Sequence, residues 1–293
     1  MEIRTLRYFL QIARDGNITK AADYLHISQP TLSRQMQILE DELGKKLFHR
    51  HSHHISLTEE GMLLRERAEE ILDMVDKTEE EFRTLGAEAG GDIRIGCAES
   101  EGMSYFMRAA KNLHDKYPRI RFHFYAGGTE TIAERLDKGL LDMAVIVQPV
   151  NLVRYNYLKI PFEDRWGLLM RKDCPLAEKK DIALRDILSV PLICSRQSLE
   201  EDLLDWFGEK KKDLNVVATY DLLYNASLLV KEGLGSALCL DGLAATGEES
   251  SLCFRPLSPG VSSPLYIIWK KYQVFTPVAG FLIEELQSGT SVV

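Results

Sequence analysis

ITKAADYLHISQPTLSRQMQILEDEL, residues 18–43, reads as two short helices joined at a tight corner. Ala21, Ala22 and Leu25 form an apolar edge on the first helix, and the small alanines let the second approach closely. Ile27 is expected to be buried at the corner. Ser28 is placed to cap the second helix, and Pro30 falls in its first turn, where a missing N–H costs nothing. Leu32, Met36, Leu39 and Leu43 recur at helical spacing, so one face packs inward. The opposite face carries Pro30, Arg34 and Gln37, flanked by Thr31 and Ser33, with Gln29 at the tip. Short donors and acceptors with one arginine suit the base edges of a DNA major groove. A hairpin that merely packs shows the same periodicity, so the flanking sequence has to separate the two readings.

Upstream, Leu6, Phe9, Leu10 and Ala13 give a first helix that Asp15-Gly16-Asn17 ends, with Asn17 capping the next. Downstream, Lys45-Lys46-Leu47-Phe48 and Ile55-Ser56-Leu57 flank a polar tip and read as a β-hairpin wing. The tip holds His49, Arg50, His51, Ser52, His53 and His54. Its histidines suit either a phosphate-touching wing or a metal. With no carboxylate or cysteine nearby, no metal site is assigned. Thr58 then opens a long helix with Glu59 and Glu60 at the positive end of its dipole. Leu64, Ala68, Ile71, Val75, Thr78, Phe82 and Leu85 alternate spacings of four and three, a heptad seam on an otherwise acidic helix. That seam must meet a partner: most simply the same helix of a second subunit, otherwise its own chain.

The run AADYLHISQPTLSRQMQILEDELGKKLFHR, followed by LTEEG, resembles the N-terminal module of LysR-type transcriptional regulators from about Leu6 to Leu85. The remainder resembles the family's effector domain more loosely, through length and pattern. The resemblance implies a winged helix-turn-helix on double-stranded DNA. Ser28, Gln29, Pro30, Thr31, Ser33, Arg34 and Gln37 would lie at the groove. The family's arginine falls at Arg50, and its usual second basic wing residue at His53. It also implies a pseudo-palindromic operator, a homodimer through the linker helix, a tetramer as a dimer of dimers, and a small-molecule effector. RNA polymerase stays open as a further partner.

Charge partition agrees. The whole chain carries −8, but residues 1–58 carry a net +2 and five of the seven histidines, and residues 59–90 carry −7. The one basic segment therefore contains the helical hairpin. No apolar run reaches a membrane span, and the N-terminus lacks the features of a signal peptide. Five cysteines without CxxC spacing suit a reduced, cytoplasmic compartment.

After the glycine-rich hinge at 86–91, strands and helices alternate. Expected are strands at 93–97, 119–126, 142–148, 191–195, 215–220, 236–240 and 265–269. The expected helices cover 102–116, 130–138, 199–207, 222–232 and 276–286. This is an α/β domain of two Rossmann-like subdomains, an architecture that resembles periplasmic binding proteins. The expected organisation is a winged helix-turn-helix at 1–58, a linker helix and hinge at 59–90, and an effector domain at 91–293. Subdomain I would take 91–161 and 266–293, and subdomain II 162–265.

Ligands of open parallel sheets sit beyond the carboxyl ends of strands, at helix N-termini. That rule nominates Ser100, Gly128, Thr129, Gln148, Ser195, Arg196 and Asn225, each with an ordinary cap or turn as its alternative role. By resemblance, the family places hydroxyls at the positions of Ser100 and Thr129. Glu99 and Glu101, however, would repel an anionic effector unless they point outward or bind backbone donors. The aromatic carboxylate common in the family is therefore not assumed. No phosphate loop, HExxH or GxSxG is present, so neither catalysis nor a cofactor is expected. Cys97 and Cys194 read as small buried hydrophobes rather than redox sensors. The competing reading is a solute-binding domain or enzyme with an incidental helical N-terminus.

Overall fold

The computed structural model describes residues 1–51, 54–84, 90–147, 152–199 and 203–290. They fall into two compact units, Met1–Arg83 and Thr84–Val293.

The first unit contains α1 (Ile3–Asp15), α2 (Ile18–Tyr24), α3 (Gln29–Leu43), β1 (Phe48–Arg50), β2 (Ile55–Leu57) and α4 (Glu59–Thr84). Gly16 ends α1 at φ 59°, a conformation glycine adopts without a Cβ penalty. Asn17 Oδ1 then accepts the N–H groups of Thr19 and Lys20 at 2.9 and 3.0 Å, capping α2. Ser28 Oγ accepts the Thr31 N–H at 3.3 Å and caps α3. Leu6, Phe9, Ile12, Leu32, Met36 and Leu39 form the core. A buried carboxylate ties α3 to the wing: Glu40 Oε1 accepts the Leu47 N–H at 3.0 Å, and Oε2 lies 2.7 Å from Lys46 Nζ.

The seam on α4 divides. Ala68 is fully buried in this core, and Leu64 and Ile71 pack against it. Arg7 Nη2 reaches Asp76 Oδ1 at 2.7 Å. The first half of the seam thus covers its own chain, because α1–α3 and the wing need a lid. Farther along, Phe82 is 72% exposed. Leu85 lies outside the described residues.

The second unit begins with β3 (Gly91–Cys97), α5 (Met103–Lys116), β4 (Ile120–Ala126), α6 (Thr129–Asp137), β5 (Met143–Val147) and β6 (Tyr155–Arg171). It continues with β7 (Ile182–Ala183), α7 (Leu184–Ile187), β8 (Leu192–Ser195), α8 (Leu204–Phe207), β9 (Val216–Tyr220) and α9 (Leu223–Lys231). It closes with β10 (Ser236–Leu240), β11 (Leu252–Ser258), β12 (Ser262–Lys270) and α10 (Pro277–Thr290). The sheet order is β4-β3-β5-β12-β6-β10-β8-β9, with β11 also paired to β6. Strands β3, β4 and β5 are parallel in one half, and β8, β9 and β10 in the other. Antiparallel β6 and β12 run between the halves. The presence of β6, β7 and β11 departs from expectation, since a short buried run such as Trp166–Met170 has no periodicity that marks a strand. Of the helix expected over 199–207, residues 200–202 lie outside the described residues; the chain is helical at 196–199 and again in α8, and a 3₁₀ segment follows at Gly208–Asp213. Lysines crowd that segment and little of it is buried, so no apolar face prolongs the helix.

At the crossing, Asp164 of β6 is in register with Ser263 of β12. Ser100 Oγ donates to Asp164 Oδ2 at 2.7 Å and accepts the Gly102 N–H at 2.9 Å. Trp166 Nε1 donates to Ser263 Oγ at 2.8 Å. Burial pushes the Asp164 carboxyl up to about 6, with Glu101 and Asp241 adding to the rise and the Ser100 hydroxyl opposing it.

Two stability predictions follow. Glu40→Ala strands the buried Leu47 N–H and should cost about 1–3 kcal/mol, read by thermal or urea unfolding; an unchanged midpoint contradicts the tie. Native Asp164 holds its proton to higher pH than the unfolded chain does. Its contribution is therefore full at low pH and lost as pH rises from about 4 to 6, by on the order of 2 kcal/mol. Asp164→Asn should remove that slope, and parallel pH–stability curves for the two proteins would refute it.

Candidate functional site

On the first unit, Ser28, Gln29, Pro30, Thr31, Arg34 and Gln37 are exposed, and Ser33 is half-buried. Several are already oriented by their neighbours. Gln29 Nε2 donates to Ser33 Oγ at 2.9 Å, and Gln37 Nε2 to Asp41 Oδ1 at 2.7 Å. The Ser28 and Thr31 hydroxyls lie 2.7 Å apart. Arg34 has no ion-pair partner among the described residues and projects from the helix face opposite Leu32, Met36 and Leu39. In the wing, Phe48 pairs with Leu57, and His51 stacks on His54 with ring centroids 4.4 Å apart. The Arg50 side chain and His53 lie outside the described residues.

The second unit holds a cavity of about 600 Å³. Its wall is built where β3, β4, β5, β8, β9 and β10 end, so the three-stranded parallel set of each half delivers residues to it. Gly128, Thr129, Ser195 and Arg196 line it, as expected from their places after strands. Thr129 is 3% exposed, and its hydroxyl donates to Val147 O at 3.4 Å. Ser195 Oγ accepts the Ser198 N–H at 3.0 Å. Arg196 Nε stands 3.5 Å from Asp221 Oδ1.

Two nominated residues are absent from this lining. The Ser100 hydroxyl is turned inward and committed to Asp164 and Gly102. Asn225 is exposed because α9 buries Leu223, Ala226, Ser227 and Val230 on its other side. Gln148 lies outside the described residues.

The structure adds residues that the nomination passed over. Glu99 lines the cavity, and its Oε2 accepts the N–H of Leu223 at 2.5 Å. Gln197 Oε1 accepts the Thr129 N–H at 3.4 Å. Trp166 and Tyr220 supply aromatic wall. Glu99 and Gln197 both follow strand ends, so the rule that selected Ser100 and Arg196 applied equally to them. Glu101 differs from Glu99: its side chain lies over Gly242 and outside the cavity lining. The thiols carry no sign of activation. Burial raises Cys97, with Glu99 adding to the rise, and pushes Cys194 up to about 12, which leaves little thiolate.

Residues 3–62 match the family described as bacterial regulatory helix-turn-helix protein, lysR family, and residues 86–291 match the LysR substrate binding domain. The chain is similar to the HTH-type transcriptional regulator YtlI of Bacillus subtilis (strain 168), 30% identical over 81% of this chain and 77% of that protein. It is similar to the Hca operon transcriptional activator HcaR of Escherichia coli (strain K12), 27% identical over 96% of each. Full-length CbnR, solved in complex with its target DNA, superposes with a TM-score of 0.76 at 22% identity, covering 98% of this chain and 99% of that one. With a regulator's helix-turn-helix at one end and the matching ligand-domain fold over the rest, the chain belongs to the LysR family of DNA-binding transcriptional regulators and is not an enzyme.

Proposed function

We propose that the protein binds an operator in double-stranded DNA through the exposed face of α3 and the wing, and that a small molecule in the second unit's cavity changes that binding. The observation that carries this reading is the cavity itself. Strand ends and helix N-termini from both α/β halves converge on it, so a bound molecule touches both at once. The donor-rich face of α3, within the chain's only basic segment, supplies the DNA-facing surface. The distal part of α4, where Phe82 is exposed, is the surface left for a second subunit. A dimer presents two copies of α3 to a roughly palindromic site. Such a target places the protein in the cytoplasm.

Arg34→Ala should weaken specific DNA binding by about 1–3 kcal/mol if the guanidinium reads a base, while the melting temperature holds. A mobility-shift assay on the gene's own upstream region, run at several salt concentrations, reads this; unchanged binding removes Arg34 from the interface. A thermal-shift screen of metabolites on the full chain finds the effector, because a ligand of the folded state raises its melting point. Thr129→Val keeps the shape but removes the hydroxyl, and should cost that effector on the order of 1 kcal/mol while sparing unliganded DNA binding. Equal effector affinity in the two proteins leaves Thr129 a plain structural residue.

A further inference from the structure

The cavity has two helix N-termini on its wall, and each is occupied by a side chain from the opposite half. The first residue of α9, Leu223, has its N–H taken by Glu99, which follows β3 in the other half. Leu222, at the N-cap position of α9, offers no side-chain cap. In the reverse direction, Gln197 follows β8 and takes the N–H of Thr129, first residue of α6, where Gly128 offers no side chain either. A helix N-terminus is a seat for anions, through its unpaired N–H groups and the positive end of its dipole. At α9 that seat is filled by a full negative charge that belongs to the protein.

The rest of the wall repeats this sign. Its ionised side chains are Glu99, Glu130 and Asp221 against Arg196, which already faces Asp221. Glu130 stands in the first turn of α6, so that N-terminus also has its own carboxylate close by. A free carboxylate entering the cavity would have to expel a tethered competitor, present at an effective concentration in about the millimolar range or above, and then face Glu130, with the Asp221 charge set against that of Arg196.

We propose that Glu99 is a built-in ligand of the α9 anion seat, so that this cavity refuses free carboxylates and takes a molecule bearing a cationic nitrogen, an amine or guanidine. The cation pairs with the Glu99 carboxylate and its neighbours and draws it away from Leu223. This releases a hydrogen bond that joins the two halves. The inference rests on the cavity being the ligand site, as argued above, and specifies the chemistry of its ligand.

The test uses the full chain as wild type, Glu99→Ala and Glu99→Gln, with acetate and agmatine as probes at matched ionic strength. Acetate should raise the melting temperature of Glu99→Ala by about 2–4 °C, by refilling the vacated seat, and leave wild type unmoved. Agmatine should raise wild type and act more weakly on both variants. Should Glu99→Ala fail to fold, Glu99→Gln carries the agmatine arm, since its amide keeps the shape and a hydrogen-bond acceptor without the charge, and Glu99→Ser, whose side chain is shorter than that of Glu99, vacates the seat for the acetate arm. Acetate shifts equal in wild type and variant, zero included, overturn the proposal, and so does an agmatine shift indifferent to residue 99. No DNA enters this experiment. Its failure leaves regulation by an effector of other chemistry standing, whereas an effector whose affinity operator DNA leaves untouched strikes the reading of the cavity itself.

Discussion

Two antiparallel strands, β6 and β12, join the halves of the ten-stranded sheet, and the cavity exists because they do. Each half is a small parallel α/β unit whose strands deliver their carboxyl ends to one wall. The shared pair holds those two walls opposite each other, and the Glu99–Leu223 and Gln197–Thr129 hydrogen bonds cross between them. The pair is secured at the crossing by buried groups: Asp164 with Ser100, and Trp166 with Ser263. Trp166 serves both purposes, since its ring lines the cavity while its N–H is anchored in β12. The register of the pair is irregular between Pro264 and Tyr266, beside this knot.

The same economy governs the first unit. Glu40 holds the wing's entry to the recognition helix through a backbone bond and an ion pair. The early turns of α4 close the core that positions α3. The face of α3 turned to solvent is therefore fixed from beneath by buried apolar contacts and from the side by Glu40. Its polar residues need contribute nothing to folding except the Ser28 cap.

Much of this was legible in the residues. Ser28, Pro30 and the Leu32–Met36–Leu39 spacing marked α3 because capping, proline placement and helical period act locally. The strand-end rule found Gly128, Thr129, Ser195 and Arg196 for the same reason. What escaped was set by long-range packing. Nothing near Ser100 announces that Asp164 will meet it from the crossing strand. The seam on α4 was periodic throughout, and periodicity alone does not say that Ala68 covers its own chain. Glu99 is the intermediate case. Its charge posed the question of an anionic ligand, and only the structure places the N-terminus of α9 against it.

On the reading proposed above, occupancy of the cavity and binding of operator DNA share one coupling free energy. Linkage then requires reciprocity: if effector changes operator affinity by some factor, operator must change effector affinity by the same factor. The direct measurement is calorimetric titration of the effector into the full chain, with and without saturating operator, beside operator titrations with and without effector. Two equal factors, different from one, are expected; an effector affinity that operator leaves untouched would contradict the coupling.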